Sequence, residues 1–131
     1  MRDLYVGERL PELRLTVELG AMKVFSVLMA DPNPIHFDPA HTAALGLGDR
    51  PVNQGTLTLS YPVDALLAVL DDPARIRRVR CRFAGSVVAD DVVTAGGEVT
   101  ARHPTGATVS IWLDVEGRGR VLTGEVDVDL S

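Results

Sequence analysis

Residues 12–18 (ELRLTVE) alternate polar and apolar side chains, the period-two signature of a half-buried strand. Gly20 then interrupts the chain. Residues 21–30 (AMKVFSVLMA) place Val24, Phe25, Leu28 and Met29 at helical spacing. The pattern predicts a helix ending at Asp31-Pro32, because a residue before proline avoids helical backbone. After the irregular stretch DPNPIHFDPAH, a short helical turn is expected around 39–45, and Gly46, Gly48 and Pro51 mark another loop. Residues 55–70 (GTLTLSYPVDALLAVL) are apolar on nearly every face, as in a buried central helix. Pro62 lies inside it and removes one backbone donor. Either the helix kinks there, or its regular part begins near Ser60, with Ser60 as cap and Pro62 in the first turn.

The remainder reads as strands. Val79, Cys81 and Phe83 alternate with Arg78, Arg80 and Arg82. Val109, Ile111, Leu113 and Val115 alternate with polar neighbours and Trp112. Gly124, Val126, Val128 and Leu130 alternate with Asp127 and Asp129. RHPTG at 102–106 and EGRGR at 116–120 are hairpin turns. One buried helix followed by a long antiparallel sheet predicts an α+β layout with the sheet wrapped around the helix. Its outer face and edges need cover, so at least a dimer is expected.

A chain of 131 residues suits one domain over 1–131, and 46% apolar with 24% charged residues is an ordinary globular balance. The net charge of −5 argues against nucleic-acid or anionic-membrane partners, which require a cationic surface. No run approaches the roughly 20 apolar residues of a membrane span. The N-terminal stretch has no apolar run of signal-peptide length, and the single Cys81 has no partner for an internal disulfide. A cytoplasmic location is the expectation.

Candidate chemistry concentrates in DPNPIH, residues 31–36. A carboxylate and an imidazole held together can share one water, one accepting its proton while the other orients it or supplies a proton. Pro32 and Pro34 each lock a backbone torsion, and Asn33 can bond the loop backbone or a neighbouring side chain. The same residue types also build plain turns, and that reading stays open on residues alone. Asp31, His36, Asp38 and His41 include a two-histidine, one-carboxylate metal set on paper, but no recognised ligand spacing is present and no metal is expected.

"ADPNPIHFDPAHTAALG" resembles the hydratase-2 signature of the MaoC-like (R)-specific enoyl-CoA hydratases and dehydratases, and the likeness continues through "RPVNQGTLTLSYPVDALL", "GEVTA" and "TGEVDVDL". The resemblance implies the hot-dog fold, a sheet around one long helix. It implies a lyase that adds water across the double bond of a trans-2-enoyl thioester, or runs the reverse dehydration. Asp31 and His36 would then activate the water, and Asn33 would position the pair or its loop. Gly55 N–H, at the opening of the central helix, would stabilise the thioester oxyanion. A tight turn before a helix would explain Gly55 equally well without the family. No metal or redox cofactor is implied; coenzyme A or a carrier-protein thioester is part of the substrate.

The chain departs from the family pattern. Met29-Ala30 stands where Ser-Gly is usual, Gln54 where the family has histidine, and Val63 where it has a polar residue. Gln54 and Ser60, the nearest hydroxyl, are candidate substrate contacts. So are Arg78, Arg80 and Arg82, whose cationic stripe could meet coenzyme A phosphates, although a solvated sheet face shows the same alternation. Trp112 is expected in an interface, Cys81 in the core and His103 in solvent. Other roles remain for the fold. One is a subunit of a hetero-oligomeric hydratase, as for bulky steroid-type acyl-CoA. The other is a non-catalytic hot-dog subunit.

Overall fold

The computed structural model describes residues 1–131. In chain order the elements are β1 (Leu13–Thr16), α1 (Leu19–Leu28), a 3₁₀ turn (Pro34–His36), α2 (Pro39–Ala44), α3 (Gly55–Leu67), a second 3₁₀ turn (Pro73–Arg75), β2 (Ile76–Phe83), β3 (Val92–His103), β4 (Gly106–Val115) and β5 (Gly119–Asp129). The strands form one antiparallel sheet in the order β1-β3-β4-β5-β2. Both expected hairpin turns close the long β3-β4 and β4-β5 ladders.

Helix α3 lies across the concave face of β3 and β4 and against β1. Every second residue of β4, from Val109 to Val115, points at it and is buried. Two apolar clusters result. Tyr61 and Ala65 of α3 pack with Val93, Ala95, Leu113 and Leu122, while Leu66 packs with Val99, Val109, Ile111 and Val126. Full burial of one such side chain stabilises by roughly 1.5–3 kcal/mol, so this face sets the fold.

Helix α3 is regular from Gly55 onward and carries Pro62 in its interior, so it does not begin at Ser60. Ser60 is no cap: its hydroxyl donates to the Leu57 carbonyl at 2.6 Å.

Three further expectations are corrected. Gly20 sits within the first turn of α1 rather than breaking the chain before it, and the helix stops at Leu28. That helix turns Met22 and Ser26 inward, one helical turn apart, and leaves Val24, Leu28 and Met29 exposed. Cys81 is exposed, as are Val79 and Phe83. Strand β2 is one edge of the sheet, paired only with β5; Ile76 packs on the core and Phe83 faces Gly55 at the start of α3, while Val79 and Cys81 between them stay exposed.

Trp112 stands on the outer face over Gly96, where a Cβ would come within 2.6 Å of its Nε1. The Arg120 guanidinium lies 4.6 Å from its ring centre.

Candidate active site

The DPNP loop is built from nested turns. The Asp31 N–H donates to the Ser26 carbonyl at 2.9 Å, tying the loop to the end of α1. The Asp31 carboxylate accepts from the Asn33 N–H at 3.1 Å, and the Asn33 side-chain oxygen accepts from the Ile35 N–H at 3.2 Å. Asn33 thus caps the 3₁₀ turn that carries His36. Ala30, just before Asp31, adopts φ +51°, a left-handed conformation. That is the position where the resembled family has glycine, and the backbone geometry gives the reason.

His36 Nε2 lies 3.4 Å from Asp31 Oδ2. The imidazole is nearly buried at 12% exposure and the carboxylate is half-exposed at 38%, so the pair faces solvent from one side. The His36 Nδ1–H donates to the Val52 carbonyl at 2.7 Å. A carbonyl only accepts, so in the neutral ring the proton is on Nδ1 and the Nε2 lone pair faces Asp31. Two acceptors that close together suit a water that donates one hydrogen to each and keeps its lone pairs free.

The segment that holds His36 also leads into α3. The Val52 N–H donates to the Ile35 carbonyl and the Asn53 N–H to the Val87 carbonyl, each at 2.7 Å. Two residues on, α3 opens at Gly55. The first N–H groups of a helix have no carbonyl four residues back, and no side chain caps this one. These donors and the positive end of the helix dipole are therefore free for a ligand. Gly55 is absent from the positive-φ residues, and a Cβ built on it would stand 3.6 Å from Phe83 Cζ, an ordinary contact. Neither the backbone nor the packing requires glycine there, which removes the tight-turn explanation.

A cavity of about 260 Å³ joins these parts, lined by His36, Val52, Asn53, Gly55, Thr58, Phe83, Gly85, Ser86 and Val87. Asp31 borders a second, more open depression of about 460 Å³ with Lys23, Ser26, Val27, Ala30, Pro32 and Phe37. The Asp31–His36 pair stands between the two.

The other sequence candidates lie elsewhere. Gln54 is buried, with its Nε2 donating to the Met22 carbonyl at 2.9 Å and to Ser26 Oγ at 2.8 Å, so it fastens α1 to α3. Ser60 is bonded within α3. Arg78, Arg80 and Arg82 project from the strand face opposite Phe83, on the outer side of the sheet, and Arg80 pairs with Glu125 at 2.8 Å. Asp38 caps α2 through the Ala40 N–H, and no three histidine, cysteine or acidic side chains come together as a metal set. Asn53, Thr58, Phe83 and Ser86 were not singled out from the sequence. Nothing in its pattern marks them, because the register of 51–53 against 87–89 brings them to the cavity.

A sheet wrapped around one helix, with an acid–imidazole loop beside that helix's N-terminus, makes this a hot-dog protein. Residues 6–114 match the model of the MaoC like domain, and the chain belongs to that family. It is 33% identical over 134 residues, covering 98% of this chain and 97% of the other, to an (R)-specific enoyl-CoA hydratase from Aeromonas caviae. The solved structure of an (R)-hydratase from A. caviae involved in PHA biosynthesis superposes with a TM-score of 0.88 at 29% identity over the whole of both chains. The ChsH1-ChsH2 complex from Mycobacterium tuberculosis is also similar, with a TM-score of 0.83, 25% identity, and 97% and 98% of the two chains covered. No helix is long and apolar enough to cross a membrane.

Proposed function

We propose that this chain hydrates trans-2-enoyl thioesters to (R)-3-hydroxyacyl thioesters, or dehydrates the latter, as a hydro-lyase. The reading is carried by the Asp31–His36 pair at 3.4 Å, with the His36 proton held on the far nitrogen by Val52. In the hydration direction the pair holds a water by its two hydrogens. It takes one proton as the oxygen bonds to C3, and the same proton returns to C2. Electron density moves meanwhile onto the thioester oxygen, which the Gly55 N–H stabilises. Asn33 holds the loop and does not touch the reacting atoms. Coenzyme A or a carrier protein enters as part of the substrate, no metal or redox group is needed, and the cytoplasm is the proposed location.

A homodimer is the proposed assembly, since β2 presents an unpaired edge with Val79 and Phe83 bare. A second reading has the chain as one subunit of a hetero-oligomeric hydratase. The same bare edge and the likeness to a two-protein complex favour it.

The test is the change in enoyl-thioester absorbance with crotonyl-CoA and a longer enoyl-CoA, run beside Asp31→Asn and His36→Ala. Turnover that falls at least about a hundredfold in both variants is expected of an acid–base pair. Turnover undiminished in either variant sinks the assignment. No turnover by the protein alone, restored by a partner subunit, replaces the homodimer by the second reading.

A further inference from the structure

We infer that Gln54 is a positioning residue for the proposed reaction: its amide holds Asp31 at a fixed place relative to His36 and the Gly55 N–H. This rests on the hydratase reading above and adds a residue to it.

Asp31 takes its place from Ser26. Helix α1 closes with the Ala30 N–H donating to the Val27 carbonyl at 3.2 Å and the Asp31 N–H to the Ser26 carbonyl at 2.9 Å, with Ala30 left-handed between them. These two bonds make a tight helix stop, so Asp31 moves with Ser26. Gln54 grips the same residue. Its Nε2 donates to Ser26 Oγ at 2.8 Å and to the Met22 carbonyl, one turn earlier, at 2.9 Å. The Met22 carbonyl only accepts, so the amide has one orientation.

The segment that carries Gln54 also holds the other parts of the site. The Val52 carbonyl accepts from the His36 Nδ1–H at 2.7 Å, and Gly55 opens α3 directly after Gln54. Residues 52–55 therefore reach His36 through a backbone carbonyl and Asp31 through the Gln54 side chain and Ser26, while their own N–H faces the thioester oxygen. The two Gln54 bonds are the only hydrogen bonds between α1 and this segment.

An amide here serves position more than adhesion. Gln54 is only 3% exposed, and its Oε1 is buried without a partner. An apolar side chain of the same length would fill the space without that penalty. It would not fix α1 in one place on α3, because apolar contact has no direction and a donated hydrogen bond does.

The experiment uses Gln54→Met, which keeps the length and drops both donated bonds together with the unpaired oxygen. Its urea midpoint is expected near wild type. By NMR, the Asp31 N–H of the variant is expected to exchange about tenfold faster, while the amides of β4 keep their wild-type rates. On the enoyl-CoA substrates above, kcat is expected to fall about tenfold with KM within about twofold of wild type. That fall is expected to vanish in an Asp31→Asn background, because Gln54 acts through Asp31. Unchanged Asp31 exchange overturns the inference. So does a fall in kcat that persists undiminished beside Asp31→Asn, which marks a structural role alone. If Gln54→Met does not fold, Ser26→Ala decides: it drops one of the two bonds, is expected to speed Asp31 exchange about threefold, and overturns the inference if it does not. Faster Asp31 exchange in a protein without turnover would refute the hydratase reading and leave the hold of Gln54 on Asp31 standing. Turnover with unaltered exchange would do the reverse.

Discussion

The His36 Nδ1–H donates to the main-chain carbonyl of Val52 at 2.7 Å, so a backbone atom decides which nitrogen faces Asp31. Side-chain substitution cannot remove that acceptor, which makes the orientation robust. In the neutral state His36 is expected to be the Nδ1–H tautomer. Long-range proton–nitrogen NMR on labelled protein reads this directly, and a protonated Nε2 in the neutral ring would overturn the water geometry proposed above.

Ala30 carries a left-handed φ of +51°, where a Cβ is disfavoured by roughly 1–2 kcal/mol. Glycine relieves that strain but raises the entropy of the unfolded chain by about 0.4–1 kcal/mol. Ala30→Gly is therefore expected to stabilise by about 0.5–1 kcal/mol, seen as a higher urea midpoint at unchanged slope. A lower midpoint would show that neighbouring contacts outweigh the strain.

Gly55→Ala separates folding from chemistry. Its methyl group would meet Phe83 Cζ at 3.6 Å without strain, so stability is expected to stay within about 0.5 kcal/mol. The same methyl enters the cavity beside the free N–H and displaces a bound thioester, so kcat/KM is expected to fall roughly hundredfold. Unchanged turnover in a folded variant would remove Gly55 from the oxyanion role.

Tyr61 is buried, and burial holds its hydroxyl above the ordinary 10.0, with the Asn53 hydrogen bond opposing part of the rise. The unfolded chain then releases its proton first. The stability contributed by neutral Tyr61 is full below about pH 10 and is lost as pH rises through the raised value. Tyr61→Phe is expected to flatten the alkaline limb of the stability profile while losing about 1 kcal/mol at neutral pH with the Asn53 bond. Denaturant titrations at several pH values check it, and an unchanged alkaline limb would contradict it.

The central helix, the two hairpins and the inward stripes of β4 and β5 were legible because each rests on a local period. The DPNPIH loop was legible for a similar reason, since its turns close over two or three residues and set Asp31 and His36 near one another, although Ser26 and Val52 complete the hold. Gln54 and the β2 face were not. Gln54 reads as a polar residue at a helix mouth, and only the packing of α1 on α3 turns its amide inward. Val79, Cys81 and Phe83 alternate as a buried strand would, and strand order alone makes them an edge.

By itself, then, the sequence determined most of the elements and the α+β class, which follow from periods within short segments, and its motifs carried the family resemblance and pointed to the acid–imidazole pair. Tertiary structure decided the rest. It fixed the His36 tautomer through Val52, freed Gly55 from any packing need, and gathered Asn53, Thr58 and Phe83 around one cavity. Those relations join segments up to about forty residues apart, through the register of 51–53 on 87–89 and the path of the sheet edge. Long-range register depends on how all the strands pack on α3 together, so no local pattern encodes it.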